Sequence, residues 1–185
     1  MKNYWQNAVT FDEYIKETER RIEVQNPEDD HNEYYELGLQ RMNRTLKTYK
    51  ADEEQLETLK SKNFNGKILI ITEPWCGDAS ATVPAVSKFF EGHNEVRIFY
   101  RDSDTSLIDQ FLTNGTQSIP KILILNEDFS LKNVWGPRPQ YGTELLKKFK
   151  ENPETYPREE FYNDLQVYYA KNKGKDAIQE ILDLL

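Results

Sequence analysis

The chain contains a single cysteine, Cys76, and its position gives the clearest indication of chemistry in the sequence. Cys76 follows a β-branched apolar run at residues 67–72, and a helical pattern begins at about Asp78. At the N-terminus of a helix the backbone N–H groups are unpaired and the helix dipole is positive, so a thiolate is favoured over a thiol. A lone cysteine without this context is more often an inert, buried side chain. The placement therefore predicts that Cys76 is a nucleophile near neutral pH, and it is our candidate catalytic residue.

Asp78 acts on the same thiol in the opposite direction. A carboxylate in the first turn suits the helix, but its negative charge raises the pKa of a neighbouring thiol. The sequence leaves the sign of the net shift in the pKa of Cys76 open.

The elements that must position Cys76 are predicted by changes of hydrophobic period along the chain. Residues 62–150 alternate between short apolar runs and helical patterns, in the order β-α-β-α-β-β-α. The predicted strands are 67–72, 95–100, 121–125 and 130–135, and the predicted helices are 78–91, 105–112 and 141–150. This order is typical of an α/β fold in which a mixed central sheet has helices on both faces.

Helical regions flank this central domain on both sides. Residues 1–61 are predicted to form an N-terminal helical extension packed on the core, in which Thr10 and Glu13 make a capping box. Residues 151–185 are predicted to form a C-terminal extension of two helices separated by Gly174. We expect both extensions to cover the central domain.

Composition narrows the class of function. The 185 residues carry a net charge of −8, which repels a phosphate backbone, so we expect no nucleic-acid partner. One cysteine allows no internal disulfide, which fits a reducing compartment. The N-terminus lacks the apolar region of a signal peptide, and no apolar run reaches about 18 residues. We therefore expect a cytoplasmic protein that does not bind a membrane.

The two histidines, His31 and His93, lie far apart in polar surroundings. No further potential ligands stand near either of them at the spacing that a zinc site requires. We expect both to be solvated side chains, and we predict no metal site and no cofactor. The sequence leaves the oligomeric state open.

Several short motifs, taken together, resemble those of the thioredoxin-like superfamily. The segment Trp75-Cys76-Gly77-Asp78-Ala79 resembles the active-site motif Trp-Cys-Gly-Pro-Cys, and Pro84 matches the proline inside the helix that follows it. Ser118-Ile119-Pro120 resembles the cis-proline loop of that family, and Gly136 the glycine that completes its peptide-binding groove. These motifs span about half of the chain. More closely, the sequence resembles a bacterial branch with an N-terminal helical extension and a single-cysteine Trp-Cys-Gly-Asp site.

The resemblance implies a thioredoxin-like fold and a substrate groove beside Cys76. A cis bond before Pro120 would expose backbone groups with which an extended peptide could pair; the alternative is an ordinary trans proline that begins a strand. Trp135 would present its ring to the groove or lie in the core, and the sequence favours neither. The implied substrate-binding residues are Trp75, Gly77, Asp78, Ile119, Pro120, Trp135 and Gly136.

Two departures from the family pattern bear on mechanism. Ala79 occupies the place of the second cysteine, so no thiol in this chain can resolve a mixed disulfide at Cys76. Ile70 occupies the place of the buried carboxylate that assists proton transfer in thioredoxins, whereas Arg101 keeps the charge of its usual basic companion.

These features support two functions of different classes. The first is a single-cysteine thiol–disulfide oxidoreductase, in which Cys76 attacks a disulfide, or condenses with a sulfenic acid, on a protein or a low-molecular-weight thiol, and an external thiol then releases the product. The second is a redox-silent module that binds a partner protein or peptide in the cis-proline groove. Cluster binding of the kind seen in single-cysteine glutaredoxins has no additional support in the sequence.

Overall fold

The computed structural model describes residues 1–185 and places a four-stranded mixed sheet at the centre, with helices on both faces. The strands are β1 (Lys67–Thr72), β2 (Val96–Tyr100), β3 (Lys121–Leu125) and β4 (Leu131–Trp135). Their order in the sheet is β2-β1-β3-β4. Strand β2 runs parallel to β1, whereas β3 is antiparallel to both β1 and β4. The predicted fold class is confirmed.

Strand β1 forms the centre of the core. Its apolar residues Ile68, Leu69, Ile70 and Ile71 are completely buried. A strand with both faces covered needs apolar side chains at successive positions rather than at alternate ones, which explains this continuous run. Each buried side chain of this size contributes about 2 kcal/mol of hydrophobic free energy, which fixes the strand that leads to Cys76.

Eight α-helices surround the sheet: α1 (Lys2–Gln6), α2 (Phe11–Val24), α3 (Asn32–Thr48), α4 (Glu53–Ser61), α5 (Ala79–Phe90), α6 (Gln140–Glu151), α7 (Arg158–Asn172) and α8 (Lys175–Asp183). Helix α2 begins with the predicted capping box: Thr10 Oγ1 accepts the N–H of Glu13, and the Glu13 carboxylate accepts the N–H of Thr10. Helix α5 carries the cysteine motif at its start and Pro84 in its interior. None of the helices combines the length and the apolar character needed to cross a lipid bilayer.

The helix predicted for residues 105–112 is wrong. This segment holds only a short 3₁₀ helix, Ile108–Phe111, and a second one, Arg101–Ser103, precedes it. Asp104 Oδ1 accepts the backbone N–H of Ser106 at 2.9 Å, which gives the chain a local alternative to helical hydrogen bonds. A run this short also gains too little from helical hydrogen bonds to offset the cost of nucleation.

Three helices of the flanking regions pack directly on α5. Helix α3 lies against α2 and α5, helix α7 against α5 and α6, and helix α8 against α4 and α5. The main apolar core is shared between the sheet and the flanking helices, because it includes Met42 of α3 and Ile178 of α8. A smaller apolar cluster joins α6 and α7. The helix that begins next to Cys76 is therefore enclosed by residues from both ends of the chain.

The packing of α3 against the loop before Cys76 can be tested at a position where the two backbones lie close together. A Cβ atom built on Gly38 of α3 would lie 2.7 Å from the carbonyl oxygen of Pro74, two residues before Cys76. We predict that Gly38→Ala lowers the free energy of unfolding by about 1–3 kcal/mol, because the backbones of α3 and of this loop must separate. This loss should appear although alanine improves helix propensity by about 1 kcal/mol. Urea denaturation measures the change.

Asn43→Ala, an exposed change in the same helix, is the matched control and should be neutral or slightly stabilising. If Gly38→Ala instead raised stability by the full gain in helix propensity, the contact between α3 and Pro74 would be wrong.

Candidate functional site

Cys76 lies in the loop between β1 and α5 and is almost covered, with 7% of its surface exposed. Its Sγ donates a hydrogen bond to the carbonyl oxygen of Ile119 at 3.4 Å. The Ile119–Pro120 peptide bond is cis, and both residues are buried. The structure thus brings the cysteine motif and the Ser118-Ile119-Pro120 loop into contact across 43 positions of sequence.

Backbone N–H groups at the start of α5 act on the sulfur. Those of Asp78 and Ala79 lower the pKa of Cys76. This is the effect expected of a helix N-terminus, where the first N–H groups have no partner within the helix. Ala79 is completely buried and faces the core.

Burial nevertheless has the larger effect on the thiol. Removal from water, followed by the negative charge of Asp78, raises the pKa of Cys76 to about 12. The surroundings of the sulfur without a bound substrate therefore favour the thiol over the thiolate, which gives the sign that the sequence left open. Desolvation penalises the charged form more than two N–H donors stabilise it.

Asp78 makes a buried ion pair at the head of α5. One carboxylate oxygen lies 2.6 Å from a guanidinium nitrogen of Arg138, and the other accepts the hydroxyl hydrogen bond of Tyr169 at 2.7 Å. Burial raises the pKa of Asp78, whereas Arg138 and Tyr169 favour its ionised form. Although Asp78 was predicted to bind substrate, both of its oxygens are engaged within the chain.

Trp75 has two stacking partners that the sequence did not indicate. The ring of His31 lies 4.4 Å from it and nearly parallel, at 14°, and the Arg101 guanidinium lies 4.9 Å from the ring centre. The indole N–H donates to Asp102 at 3.2 Å. The His31 side chain keeps 39% of its surface exposed, and its ring also gains contact area by stacking on the indole.

Trp135 does not face the groove. It is 5% exposed, belongs to the main core, and donates its indole N–H to Glu180 of α8 at 2.6 Å. The prediction that it binds substrate is therefore contradicted, since α8 covers the end of β4 and takes up the only polar group of the ring.

Gly136 has a structural role beside Pro120. Its φ is +108°, and a Cβ atom there would lie within 2.4 Å of the Pro120 carbonyl oxygen, so only glycine allows this approach. Lys121 donates to the Gly136 carbonyl at 2.9 Å. The Gly136–Pro137 bond is also cis. Gly136 and Pro120 are in contact, but neither lines the pocket described next.

A pocket of about 830 Å³ lies over Cys76. Of the predicted site residues, its wall contains Trp75, Cys76, Gly77, Asp78 and Ile119. Eight further residues line it from α3 and α7 and were not predicted from the sequence: Tyr34, Leu37, Gly38, Arg41, Arg158, Tyr162, Leu165 and Gln166. Their helical spacing was the only signal available, and the same spacing also marks helix faces that pack in a core.

A buried carboxylate exists near the site, although not at the position of Ile70. Glu73, three residues before Cys76, is 1% exposed and accepts hydrogen bonds from Arg21 at 3.1 Å and from the N–H of Asp102 at 2.8 Å. Burial raises the pKa of Glu73. Ile70 itself is completely buried in β1.

Comparison with known proteins agrees with this architecture. A family model described as thioredoxin matches residues 24–150. The crystal structure of an HIV epitope scaffold aligns with a TM-score of 0.69 and 15% identity, over 99% of this chain and 95% of the other. A protein of unknown function from Pseudomonas aeruginosa aligns with a TM-score of 0.62 and 18% identity, over 96% and 91%. At these identities the likeness shows the fold alone. A search of curated proteins finds no match.

The effect of Asp78 on the thiol can be measured by alkylation. At neutral pH we expect Cys76 to react with iodoacetamide more slowly than an unstructured cysteine peptide, with a rate that rises as the pH approaches about 12. Asp78→Asn removes a negative charge and leaves Arg138 beside the sulfur, so the pKa of Cys76 should fall and the rate at neutral pH should increase about tenfold. Mass spectrometry follows the reaction.

Asp12→Asn makes the same chemical change at an exposed position of α2 and should leave the rate unaltered. Circular dichroism confirms that each variant is folded. An unchanged rate in Asp78→Asn, or a wild-type pKa at or below that of the peptide, would contradict this account.

Proposed function

The chain belongs to the thioredoxin-like family, and from this premise we propose that it is a single-cysteine thiol–disulfide oxidoreductase acting through Cys76. The observation that carries the proposal is the position of the only sulfur nucleophile, in the wall of a pocket of about 830 Å³. Within the family we assign it to the bacterial branch with an N-terminal helical extension and a Trp-Cys-Gly-Asp site. We divide it into the extension 1–61, the thioredoxin-like domain 62–150 and the C-terminal extension 151–185.

In the proposed first step, the Cys76 thiol loses its proton and the sulfur attacks one sulfur of a bound disulfide. A new S–S bond joins Cys76 to the substrate, the original S–S bond breaks, and the second substrate sulfur leaves as a thiolate that takes up a proton. The N–H groups of Asp78 and Ala79 support the negative charge on Cys76 before attack.

The second step requires a thiol from outside the chain, since Ala79 offers none. The external thiolate attacks the substrate sulfur of the mixed disulfide, forms a disulfide with it and releases Cys76 as a thiol after protonation. The protein therefore ends in the form in which it began, and the electrons come from the external thiol. Disulfides of proteins and disulfides of low-molecular-weight thiols both fit this scheme as substrates.

Four other predicted site residues have proposed roles, three in contact with the substrate and one indirect. Trp75, Gly77 and Ile119 line the pocket around the sulfur and would contact the substrate. Gly136 holds the backbone of Pro120 in place and acts indirectly.

A second candidate function is supported by the state of the thiol. A thiol whose pKa is raised to about 12, and which donates to the Ile119 carbonyl, is almost entirely protonated at neutral pH. This favours a redox-silent module that holds a partner peptide without covalent exchange.

An exchange assay tests the first function. We expect wild-type protein to form a mixed disulfide with bis(2-hydroxyethyl) disulfide, faster at higher pH, and an added thiol such as cysteamine to release it. Cys76→Ser should form no adduct. Turnover, measured as disulfide exchange above the uncatalysed rate, should be proportional to protein concentration. Absence of any adduct at Cys76 under conditions in which a cysteine peptide reacts would refute the proposal.

Ala79→Cys tests whether the missing second thiol limits the reaction. Positions 76 and 79 are one helical turn apart, within the Cα separation that disulfides bridge. We predict an internal disulfide on mild oxidation and a modest gain in insulin reduction with dithiothreitol, because Ile70 provides no carboxylate to assist the resolving thiol.

Ala81→Cys is the matched control, since it adds a thiol to the same helix, five positions from Cys76, and should form no bridge. If Ala79→Cys formed the bridge without any turnover, the binding module would become the better account.

A further inference from the structure

We propose that the pocket over Cys76 selects small thiols and disulfides that carry carboxylate groups, and that Arg41 and Arg158 receive those groups. The inference rests on the proposed exchange at Cys76 and names its substrate class. The supporting observation is that the pocket wall has a net positive charge, whereas the whole chain has a net negative charge.

The wall contains four arginines and one carboxylate. The arginines are Arg41, Arg101, Arg138 and Arg158, and the carboxylate is that of Asp78. Asp78 pairs with Arg138, and Asp102 outside the wall pairs with Arg101 at 2.6 Å. Two guanidinium groups remain without a carboxylate, although the chain has 32 acidic and 24 basic residues. A concave site with this excess of positive charge attracts anions.

Arg41 is the inner of these two groups. It projects from α3, is partly buried, and makes no ion pair or side-chain hydrogen bond within the chain. Its Nη1 lies 3.6 Å from the point where a Cβ of Gly77 would stand, next to Cys76. Burial and the nearby Arg44 lower the pKa of Arg41, as expected for a cation without a counter-ion. A carboxylate from a ligand would supply the missing partner with two parallel N–H···O bonds.

Helix α7 contributes the other donors. Gln166 Nε2 lies 3.7 Å from the same Cβ position of Gly77, so an amide donor stands near Arg41. Arg158 is exposed and donates only to the Tyr162 hydroxyl, at 3.4 Å. Arg41 and Gln166 would hold one carboxylate beside the sulfur, and Arg158 would attract a second one at the pocket mouth.

The walls also limit the size of the substrate. The pocket lies between α3, α7 and the loop that holds Cys76, and its volume of about 830 Å³ is within the range of small-molecule sites. A low-molecular-weight carboxylate-bearing thiol or its disulfide fits this volume.

Binding is tested without chemistry on the Cys76→Ser protein. The probe is 3,3′-thiodipropionate, a thioether with two carboxylates that cannot exchange, and nuclear magnetic resonance follows the Gly77 amide and the Arg41 side-chain N–H. We expect saturable shifts and at least about tenfold weaker binding after Arg41→Gln, because the charge-assisted hydrogen bonds of the guanidinium group to the carboxylate are lost.

Arg44→Gln removes the same charge from an exposed position outside the pocket wall and should change the affinity little. The uncharged diol of the same length should not bind. No saturable shift, equal binding of the diol, or an equal loss in Arg44→Gln would overturn the proposal.

Selectivity in exchange is tested with three disulfides of different charge: 3,3′-dithiodipropionate, bis(2-hydroxyethyl) disulfide and cystamine. Each rate at Cys76 is divided by the rate at a cysteine in an unstructured neutral peptide, which removes differences in intrinsic reactivity. We expect the anionic disulfide to be favoured over the neutral one by about tenfold, and Arg41→Gln to remove most of this preference, with Arg158 retaining a smaller part.

The two measurements separate this inference from the exchange itself. Equal normalised rates for the three disulfides would refute the charge selection and leave the exchange intact. Binding of the thioether dianion to Arg41, without a mixed disulfide from any probe, would refute the exchange and leave the anion site intact.

Discussion

The buried carboxylate of Asp78 connects three parts of the chain that meet at the cysteine. Asp78 stands at the head of α5, Arg138 precedes α6, and Tyr169 belongs to α7. Removing an ion pair from water is costly, and the attraction compensates only when both partners and their hydrogen bonds are in place. The interaction therefore favours one relative position of these elements, and this position also defines one side of the pocket.

The same carboxylate contributes to the resting state of the thiol. Desolvation is the largest influence on the pKa of Cys76, and the charge of Asp78 acts in the same direction. The N–H groups at the start of α5 lower the pKa of Cys76, but by less than desolvation and Asp78 together raise it. A helix N-terminus is thus insufficient to make a cysteine reactive when the sulfur is covered. A ligand that brings a sulfur into the pocket would change the surroundings on which this balance depends.

The flanking helices do more than cover the central domain. Helix α3 approaches the loop before Cys76 so closely that only glycine fits at position 38, and it places Arg41 above Gly77. Helix α7 supplies Tyr169 below the head of α5 and Gln166 beside Arg41. The cationic side of the pocket therefore comes largely from regions outside the sheet.

The sequence by itself determined the features that depend on neighbouring residues. The apolar run of β1, the capping box of α2 and the position of Cys76 just before α5 follow from local periodicity and helix-end chemistry. The four strands and helices α5 and α6 could therefore be predicted to within a few residues. The segment 105–112 is the exception, since a helical pattern that short competes with local side-chain hydrogen bonds.

Only the tertiary structure decided the character of the site. It places Trp135 in the core beneath α8, stacks His31 on Trp75, and adds residues of α3 and α7 to the pocket wall. These outcomes depend on contacts between distant residues, such as the 91 positions that separate Asp78 from Tyr169. The protonation state of Cys76 also depends on tertiary structure. Desolvation is its largest determinant, and it results from all the residues that pack around the sulfur rather than from any spacing along the chain.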